Sequence, residues 1–456
     1  MEPMDISQTD SQTDAQSEFL EKMRRQFDFG PYPRTPIEES PTDNSNELFI
    51  HNLLTPYYLH HHKFINTEGK VLLDAGCGTG YKALILATAN PGARVVGIDI
   101  SPKSIELAEQ RLEYHGFKDK VEFHVLAIEE VAKLEMKFDY INCDEVLYFF
   151  DDIANGLAAL KSVLKPQGII RSNLHSLLQR QIFFRAQELF GLMGLMEEFS
   201  EEMAIPIVVE TMKALGSWVD IKKYGWNPAY EVEEKNMEAL LANHLLQGDK
   251  GYRVTELFEG LKRAGLEFVA MTNWRQWDVA DLFNEPDNLP SYLAMGLADS
   301  SQETRLTLYE LMNPVHRLLD FWCANSLDIP DYLPIPDWSL QDWQTSQVAL
   351  HPQLKTDKFK QAAIEAINQN KPLMISEFLS LPALKPVTVD ASVVNLLLKL
   401  WDAPQSFEAL ADLWQHTHPV NWVTLEPISR DEARQKVADA LGKLEVFLYV
   451  LVERGH

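Results

Sequence analysis

The stretch Val71–Gly80, reading VLLDAGCGTG, constrains this chain more than any other. Its apolar start, Val71 to Leu73, has the composition of a buried strand, and Tyr81 to Ala89 has the pattern of a helix. Between them Gly76, Gly78 and Gly80 stand at alternate positions. Glycine suits backbone that bends with positive φ or lets a ligand come close. A helix start adds unpaired N–H groups and a partial positive charge. A strand, a glycine-rich turn and a helix in this order are built to hold a small polar ligand of nucleotide kind.

A second apolar run, Arg94–Ile98, ends on Asp99. An acid there accepts hydrogen bonds from both ribose hydroxyls of a nucleoside. A dinucleotide loop reads G-x-G-x-x-G, but Tyr81 stands where its last glycine belongs. That disfavours a nicotinamide oxidoreductase. Ser101 then caps a helix with Pro102 at its first position. Val121, Phe123 and Val125 alternate as a third strand, and Phe138–Cys143 forms a fourth. Ile153, Leu157, Leu160 and Leu164 share a helix face, and Pro166-Gln167-Gly168 turns into a fifth strand, Ile169–Ser172. Strands separated by helices imply a parallel sheet with right-handed crossovers. Ligands in such sheets sit beyond the carboxyl ends of the strands, which gathers Gly76, Asp99, Glu129, Asp144 and Asn173 around one crevice.

The loop, Asp99 and Ser101-Pro102, taken in order, resemble the class I S-adenosylmethionine (SAM)-dependent methyltransferases. The resemblance covers residues 70–175, with support from Thr255–Thr272. It implies an α/β, Rossmann-like sheet, an enzyme, and SAM as cofactor. Gly76 and Gly78 then lie along the methionine part, with Cys77, Gly80 and Cys143 in the same cofactor-binding set. Asp74 orients the loop and meets the ammonium group through water. Asp99 takes the ribose hydroxyls and Ile100 packs on the adenine. The family's adenine-reading acid is replaced by Ala127, so Glu129 or the backbone of Ile128 takes its place. The fourth strand ends in Asn142-Cys143-Asp144-Glu145 and lacks the Asn-Pro-Pro-Tyr signature of many DNA and glutamine methylators. Asp144, Glu145, Tyr148 and His175 are the polar groups expected near the sulfonium, and Asp144, Tyr148 and His175 are the catalytic candidates; each of these three also has an ordinary role as cap, packing ring or loop histidine.

The rest of the chain divides by pattern. Residues 1–25 read as a disordered tail and 26–176 as the SAM-binding core with an aromatic-proline arm, in which Tyr32 and Arg34 are candidates to close over the ligand. Residues 177–250 read as a helical insertion, a lid, and 251–280 as the end of the core. Residues 281–387 read as a helical middle region and linker, and 388–456 as a small α+β winged-helix-like unit. The helices expected there are Val393–Trp401, Phe407–Trp414 and Arg430–Leu441, followed by a strand, Glu445–Val452. His60-His61-His62 reads as an exposed helix end rather than a metal cluster. This layout is similar to bacterial protein-lysine methyltransferases of the rickettsial outer-membrane-protein type, which implies a protein side-chain nitrogen, lysine or asparagine, as acceptor. The alternatives are a small-molecule acceptor, suited by Phe183, Phe184, Phe190, Trp218 and Trp226, and a non-catalytic module that keeps the fold.

Composition sets the outer limits. The 456 residues carry 41 Lys and Arg against 67 Asp and Glu, a net charge of −26. That argues against a nucleic-acid groove, which needs a basic stripe. Only Cys77, Cys143 and Cys323 occur; scattered thiols point to no metal site and to a reducing cytoplasm. No apolar run is long enough for a membrane span. A protein contact or homodimer is the expected use of the C-terminal unit.

Overall fold

The computed structural model describes residues 21, 24, 28, 31–196, 201–231, 237–327, 333–421 and 425–455. The disordered tail expected up to residue 25, and Phe27, Phe29 and Gly30 of the arm, lie almost wholly outside these residues.

The principal sheet contains β1 (Val71–Ala75), β2 (Arg94–Asp99), β3 (Val121–Val125), β4 (Phe138–Cys143), β5 (Leu164–Ser176), β6 (Gly251–Tyr252), β7 (Leu266–Met271) and β8 (Leu318–Asn325). Their spatial order is β3-β2-β1-β4-β5-β8-β7, with β6 beside the end of β5. Strands β1 to β5 are mutually parallel, and β8 runs antiparallel to both neighbours. The central strands are apolar on both faces because helices cover both: all six residues of β4 are buried. On one face, Leu157 and Leu160 of helix Ile153–Ser162 and Leu257 and Leu261 of helix Val254–Ala264 pack on Ile141, Ile170 and Phe321. On the other, Leu84 and Leu86 of helix Tyr81–Ala89 join Leu53, Leu72, Tyr140 and Trp322. Each fully buried side chain of this size contributes about 1.5–3 kcal/mol, so two such faces carry the sheet. The result is the Rossmann-like fold expected.

Several boundaries differ from expectation. The fifth strand starts at Leu164 and reaches Ser176, because its pairing with β4 shifts register between Phe138 and Tyr140 and absorbs the Pro166-Gln167-Gly168 segment as an irregularity. Asn173 and His175 are therefore strand residues, not loop residues. The core does not end near 280: β8, expected within a helical middle region, is inserted between β5 and β7. Its sequence, LLDFWCAN, has Phe321, Trp322, Cys323 and Ala324 all buried; a run buried on both faces carries no alternation to distinguish it from a helix. The histidine run is not exposed. His60 and His61 are buried at the end of helix Leu54–His61, His61 against Tyr57, and no metal-holding cluster occurs among the described residues.

The C-terminal unit begins well before 388. Its core joins Val348 and Leu350, Phe359 and Ala363, Val394 and Leu397, Phe407 and Leu410, Val437 and Leu441, and Val450 to Val452, together with Phe49 and Tyr58 from the N-terminal side. The three expected helices are present as Ala391–Lys399, Phe407–Thr417 and Arg430–Glu445, the last with the Ser429/Glu432 capping box. The closing strand is Val450–Glu453, shorter than expected because the helix runs on to Glu445. It pairs with Gln347–Leu350, which also pairs with Gln405–Ser406. Among the described residues no further strand follows it, so the third strand comes from upstream rather than from a wing hairpin.

Candidate cofactor and acceptor site

At the carboxyl ends of β1, β2 and β4 lies a cavity of about 310 Å³. One side is the glycine loop. Gly76, Gly78 and Gly80 have φ of 78°, 50° and 81°, a region that disfavours a Cβ. The loop is pinned from below: the N–H groups of Gly76 and Cys77 donate to the Ile98 carbonyl at 2.8 and 2.9 Å. The Gly78 N–H donates to Asp99 Oδ2 at 2.9 Å. Asp99 Oδ1 accepts from the Ser101 N–H at 2.8 Å, and burial raises its pKa. The arm closes the loop from above. Thr79 donates through its N–H to the Tyr32 carbonyl (2.9 Å) and through Oγ1 to the Pro33 carbonyl (2.7 Å). Buried Arg111 holds the carbonyls of Thr35, Pro36 and Thr79 at 2.6–2.9 Å.

The cavity wall contains Gly76, Cys77, Gly78, Asp99, Ile100, Ile128, Glu129 and Asp144 among the residues expected. Tyr32 lines it with Pro33, while Arg34 does not. Gly80 is not in the wall: a Cβ there would meet Ala108 at 2.7 Å, so this glycine serves helix packing. Asp74, Cys143, Asn173, Tyr148 and His175 also lie behind the wall, buried. No described residue of the insertion lines the cavity. Phe190 instead belongs to a separate core with Ala186, Val208, Met212 and Leu240, which Trp226 packs against, and Trp218 is exposed. The aromatic residues that suited a small-molecule pocket are thus not at this cavity.

Behind the loop, Asp74 accepts from Asn142 Nδ2 at 2.8 Å. Its other oxygen, though buried, has no hydrogen-bond partner among the described residues. Burial raises its pKa to about 7 against the lowering effect of Asn142. Asp144 sits in an ion network, 3.0 Å from Lys82 Nζ and 3.2 Å from Arg171 Nη2. Lys82 also meets Glu47 at 3.0 Å, and Arg171 forks onto Asp320 at 2.7 and 3.0 Å. Burial opposes charge on Asp144, but Arg171 and Lys82 outweigh it and hold the carboxyl far below the ordinary range. An acid held so firmly ionised is a poor proton acceptor.

Glu145, expected near the sulfonium but not among the catalytic candidates, is the better-placed acid. It lines the cavity with φ of 59°, unusual for a residue with a side chain. Its N–H donates to Asn173 Oδ1 at 2.8 Å. Its Oε2 accepts from the Tyr148 hydroxyl at 3.2 Å and from Arg317 Nη1 at 3.4 Å, and lies 3.3 Å from His175 Nε2; Oε1 accepts from Arg317 Nη2. Burial works against its charge, but His175 and Arg317 bring the pKa down to about 2. The other nitrogen of His175, Nδ1, lies 2.5 Å from Asp249 Oδ1. Asp249 is itself held by Arg180 and Gln187, each at 2.9 Å. The His175 ring stacks on Tyr148 at 4.1 Å. Tyr148 and His175 therefore act on the cavity through Glu145. Its place just after the fourth strand marks Glu145 in the sequence; its positive φ and its partners are visible only in the structure.

Residues 66–244 match the family model of a methyltransferase domain. With the strand order and the glycine cradle, that makes this domain a class I SAM-dependent methyltransferase with SAM as its cofactor. The chain is 26% identical over 330 residues to an uncharacterised protein of Synechococcus, covering 71% of this chain and 74% of that one. It is 37% identical to the malonyl-[acyl-carrier protein] O-methyltransferase of Acetivibrio thermocellus over 99 residues, 22% of this chain and 33% of the relative. Among solved structures, PKMT2 from Rickettsia typhi superposes with a TM-score of 0.56 at 17% identity, covering 90% of this chain and 75% of that one. That is a likeness of fold.

Proposed function

We propose that the chain methylates a protein side-chain nitrogen, and that lysine is the favoured acceptor. When bound, SAM supplies a methyl group already activated on sulfur. The residues present fit it. Gly76 and Gly78 line the cavity, where a Cβ would collide with Val146 or the Tyr32 carbonyl and displace the wall, and the buried Asp74 oxygen with no partner among the described residues is an acceptor suited to an ammonium group. Asp99 retains lone pairs for the ribose, and Ile100, Leu126 and Ile128 offer an apolar slot for the adenine, with Glu129 at its edge. The domain boundaries that go with this reading are an arm and core running to about residue 325, interrupted by the insertion, and a C-terminal unit from about 335.

The observation that carries the acceptor is the far end of the cavity. There the ionised carboxylates of Asp144 and Glu145 stand among the rings of Tyr32, Tyr81, Phe149 and Phe150. Carboxylates and aromatic faces together suit a cationic amine. Neither acid is a ready base, so a hydroxyl or amide acceptor, which needs one, is served less well. The whole-length likeness to PKMT2, a protein lysine methyltransferase by name, supports the same reading. The malonyl-[acyl-carrier protein] relative favours a small-molecule or carrier-bound carboxylate as second reading, which Asp144 and Glu145 would repel.

The test is transfer of labelled methyl from SAM into a cell lysate, with protein and small-molecule fractions separated and labelled protein hydrolysed to amino acids. Methyl-lysine is the expected product. Label confined to small molecules overturns the acceptor assignment, and no transfer together with no SAM binding overturns the activity.

A further inference from the structure

We infer that Glu145 is the residue that faces the acceptor nitrogen and stabilises the charge arriving on it, and that Arg317, Tyr148 and the His175–Asp249 pair position it. The inference rests on the methyl-transfer reading and deepens it.

In the reaction, the acceptor ammonium first loses a proton to solvent. The nitrogen lone pair then forms the bond to the methyl carbon while the carbon–sulfur bond breaks, its electrons staying on sulfur. The positive charge thus leaves sulfur and appears on nitrogen as a methylammonium. A negative group fixed beside the nitrogen stabilises that transfer because it need not reorganise as the charge moves. The group must remain ionised, must be immobile, and must lie in the cavity wall.

Glu145 meets all three conditions. It lines the cavity next to Asp144 and Val146. Its backbone takes a conformation that disfavours any side chain, at φ of 59°; such strain persists only where surrounding contacts over-determine it, and it clusters at working sites. Those contacts are visible here. The Asn173 amide fixes its backbone, and Tyr148, Arg317 and His175 surround its carboxylate. His175 is in turn fixed by Asp249, whose second oxygen is occupied by Arg180 and Gln187. Asp249 and Arg180 come from the insertion side and Arg317 from just before β8. Arg317 thus reaches the carboxylate directly, and Asp249 and Arg180 support it through His175. Asp144, the other acid at this end, cannot play the part equally well. Lys82, Arg171 and the Asn173 amide already engage both its oxygens, whereas among the described residues Glu145 Oε1 has Arg317 alone.

The test avoids turnover and needs no acceptor. Sinefungin is a SAM analogue with an amine-bearing carbon in place of the methyl-bearing sulfur, so its ammonium probes the position of methyl transfer. S-adenosylhomocysteine lacks that charge and probes the rest of the site. Calorimetric titration of the full chain with both separates the two. The expected result for Glu145→Gln is a loss of about tenfold or more in sinefungin affinity, the scale of one charge-assisted hydrogen bond, with S-adenosylhomocysteine within about twofold. His175→Gln and Asp249→Asn, which leave Glu145 in place but loosen it, should lose part of the sinefungin preference and leave S-adenosylhomocysteine alone. Glu145→Gly, whose backbone tolerates the positive φ, guards against misfolding and should behave like Glu145→Gln. Equal loss of both ligands, or loss of neither, in a folded Glu145 variant overturns the inference while leaving methyl transfer standing. Failure of the wild type to bind either ligand counts instead against the cofactor reading itself.

Discussion

The two ends of the cavity are built by opposite means. At the glycine end the wall comes from short, contiguous stretches: 76–78, 99–100 and 128–129. Its shape is set by backbone conformation and by main-chain hydrogen bonds to Ile98, Tyr32 and Asp99. At the far end, Asp144 and Glu145 are adjacent in sequence, but what holds them is not. Their partners are Lys82, Arg171, Asn173, His175 and Arg317, and behind these Glu47, Asp249 and Asp320. One end is a backbone mould, tolerant of side-chain chemistry but intolerant of Cβ atoms. The other is an assembly of paired charges that stands only if every member does. Changes at the first should therefore cost ligand affinity, and changes at the second should cost folding stability or acceptor chemistry.

The largest effect expected is Asp144→Ala. It leaves buried Arg171 and half-buried Lys82 without a shared counter-charge, and stripping one member from a buried ion network costs about 3–5 kcal/mol. Urea unfolding followed by circular dichroism measures it; a loss below about 1 kcal/mol would mean that the far end is not the rigid assembly described. Next comes Gly78→Val. A Cβ at Gly78 would lie 2.1 Å from the Tyr32 carbonyl oxygen, so the arm must move. Overpacking of this kind costs about 1–3 kcal/mol, read as about 5- to 150-fold weaker S-adenosylhomocysteine binding. Gly69→Ala, at a positive φ of 71° with open space around it, supplies the control for backbone strain alone and should leave affinity unchanged.

These two ends also differ in how far the sequence discloses them. The loop, Asp99, Ile100 and Ile128 are legible because strand, glycine spacing and helix are local patterns whose meaning does not depend on the rest of the chain. Arg317 and Asp249 are not, since a lone arginine or aspartate far along the chain reaches the cavity only through the topology. Strand β8 is the clearest case: it carries Asp320, with Arg317 just before it, yet its run Phe321–Ala324, buried on both faces, has no period by which to recognise a strand. The same holds at the C-terminus, where three helices were legible but the pairing of Val450–Glu453 with Gln347–Leu350 was not.

A third prediction concerns protons. In the free protein Asp74 has a pKa of about 7, raised from 3.8 mainly by burial. Raised in the folded state, it favours folding below about pH 4, and this contribution is lost as pH rises toward 7. An ammonium group placed at its unpaired oxygen would restore the ionised form. Binding of S-adenosylhomocysteine near pH 6 should then release up to about one proton, measured by titration in two buffers of different ionisation heat. Absence of proton release, or its persistence in Asp74→Asn, would show that Asp74 does not face the ammonium.

At the far end the sign reverses. Glu145, brought from 4.5 to about 2 by His175 and Arg317 against its burial, contributes stability that is present above about pH 4.5 and lost as pH falls toward 2. Glu145→Gln should therefore flatten the stability profile across that window and leave it unchanged in shape near neutrality; an unaltered acid limb in urea titrations would contradict the pairing. The smallest effect belongs to the exposed ion pairs of the C-terminal unit. Arg430→Ala, which removes contacts to Glu408 and Asp412 on the surface, should change stability by less than about 1 kcal/mol and ligand binding not at all.

The claim on which the rest depends is that the glycine end holds a nucleoside through Asp99. Calorimetric titration with S-adenosylhomocysteine, using NAD as a control and Asp99→Ala as the variant, tests it directly. Two ribose hydrogen bonds to a carboxylate are worth about 1.5–3 kcal/mol each, so the expected result is binding by the wild type, at least about 100-fold weaker binding by Asp99→Ala, and none of NAD. Binding of NAD in preference, or S-adenosylhomocysteine binding indifferent to the loss of Asp99, would contradict it.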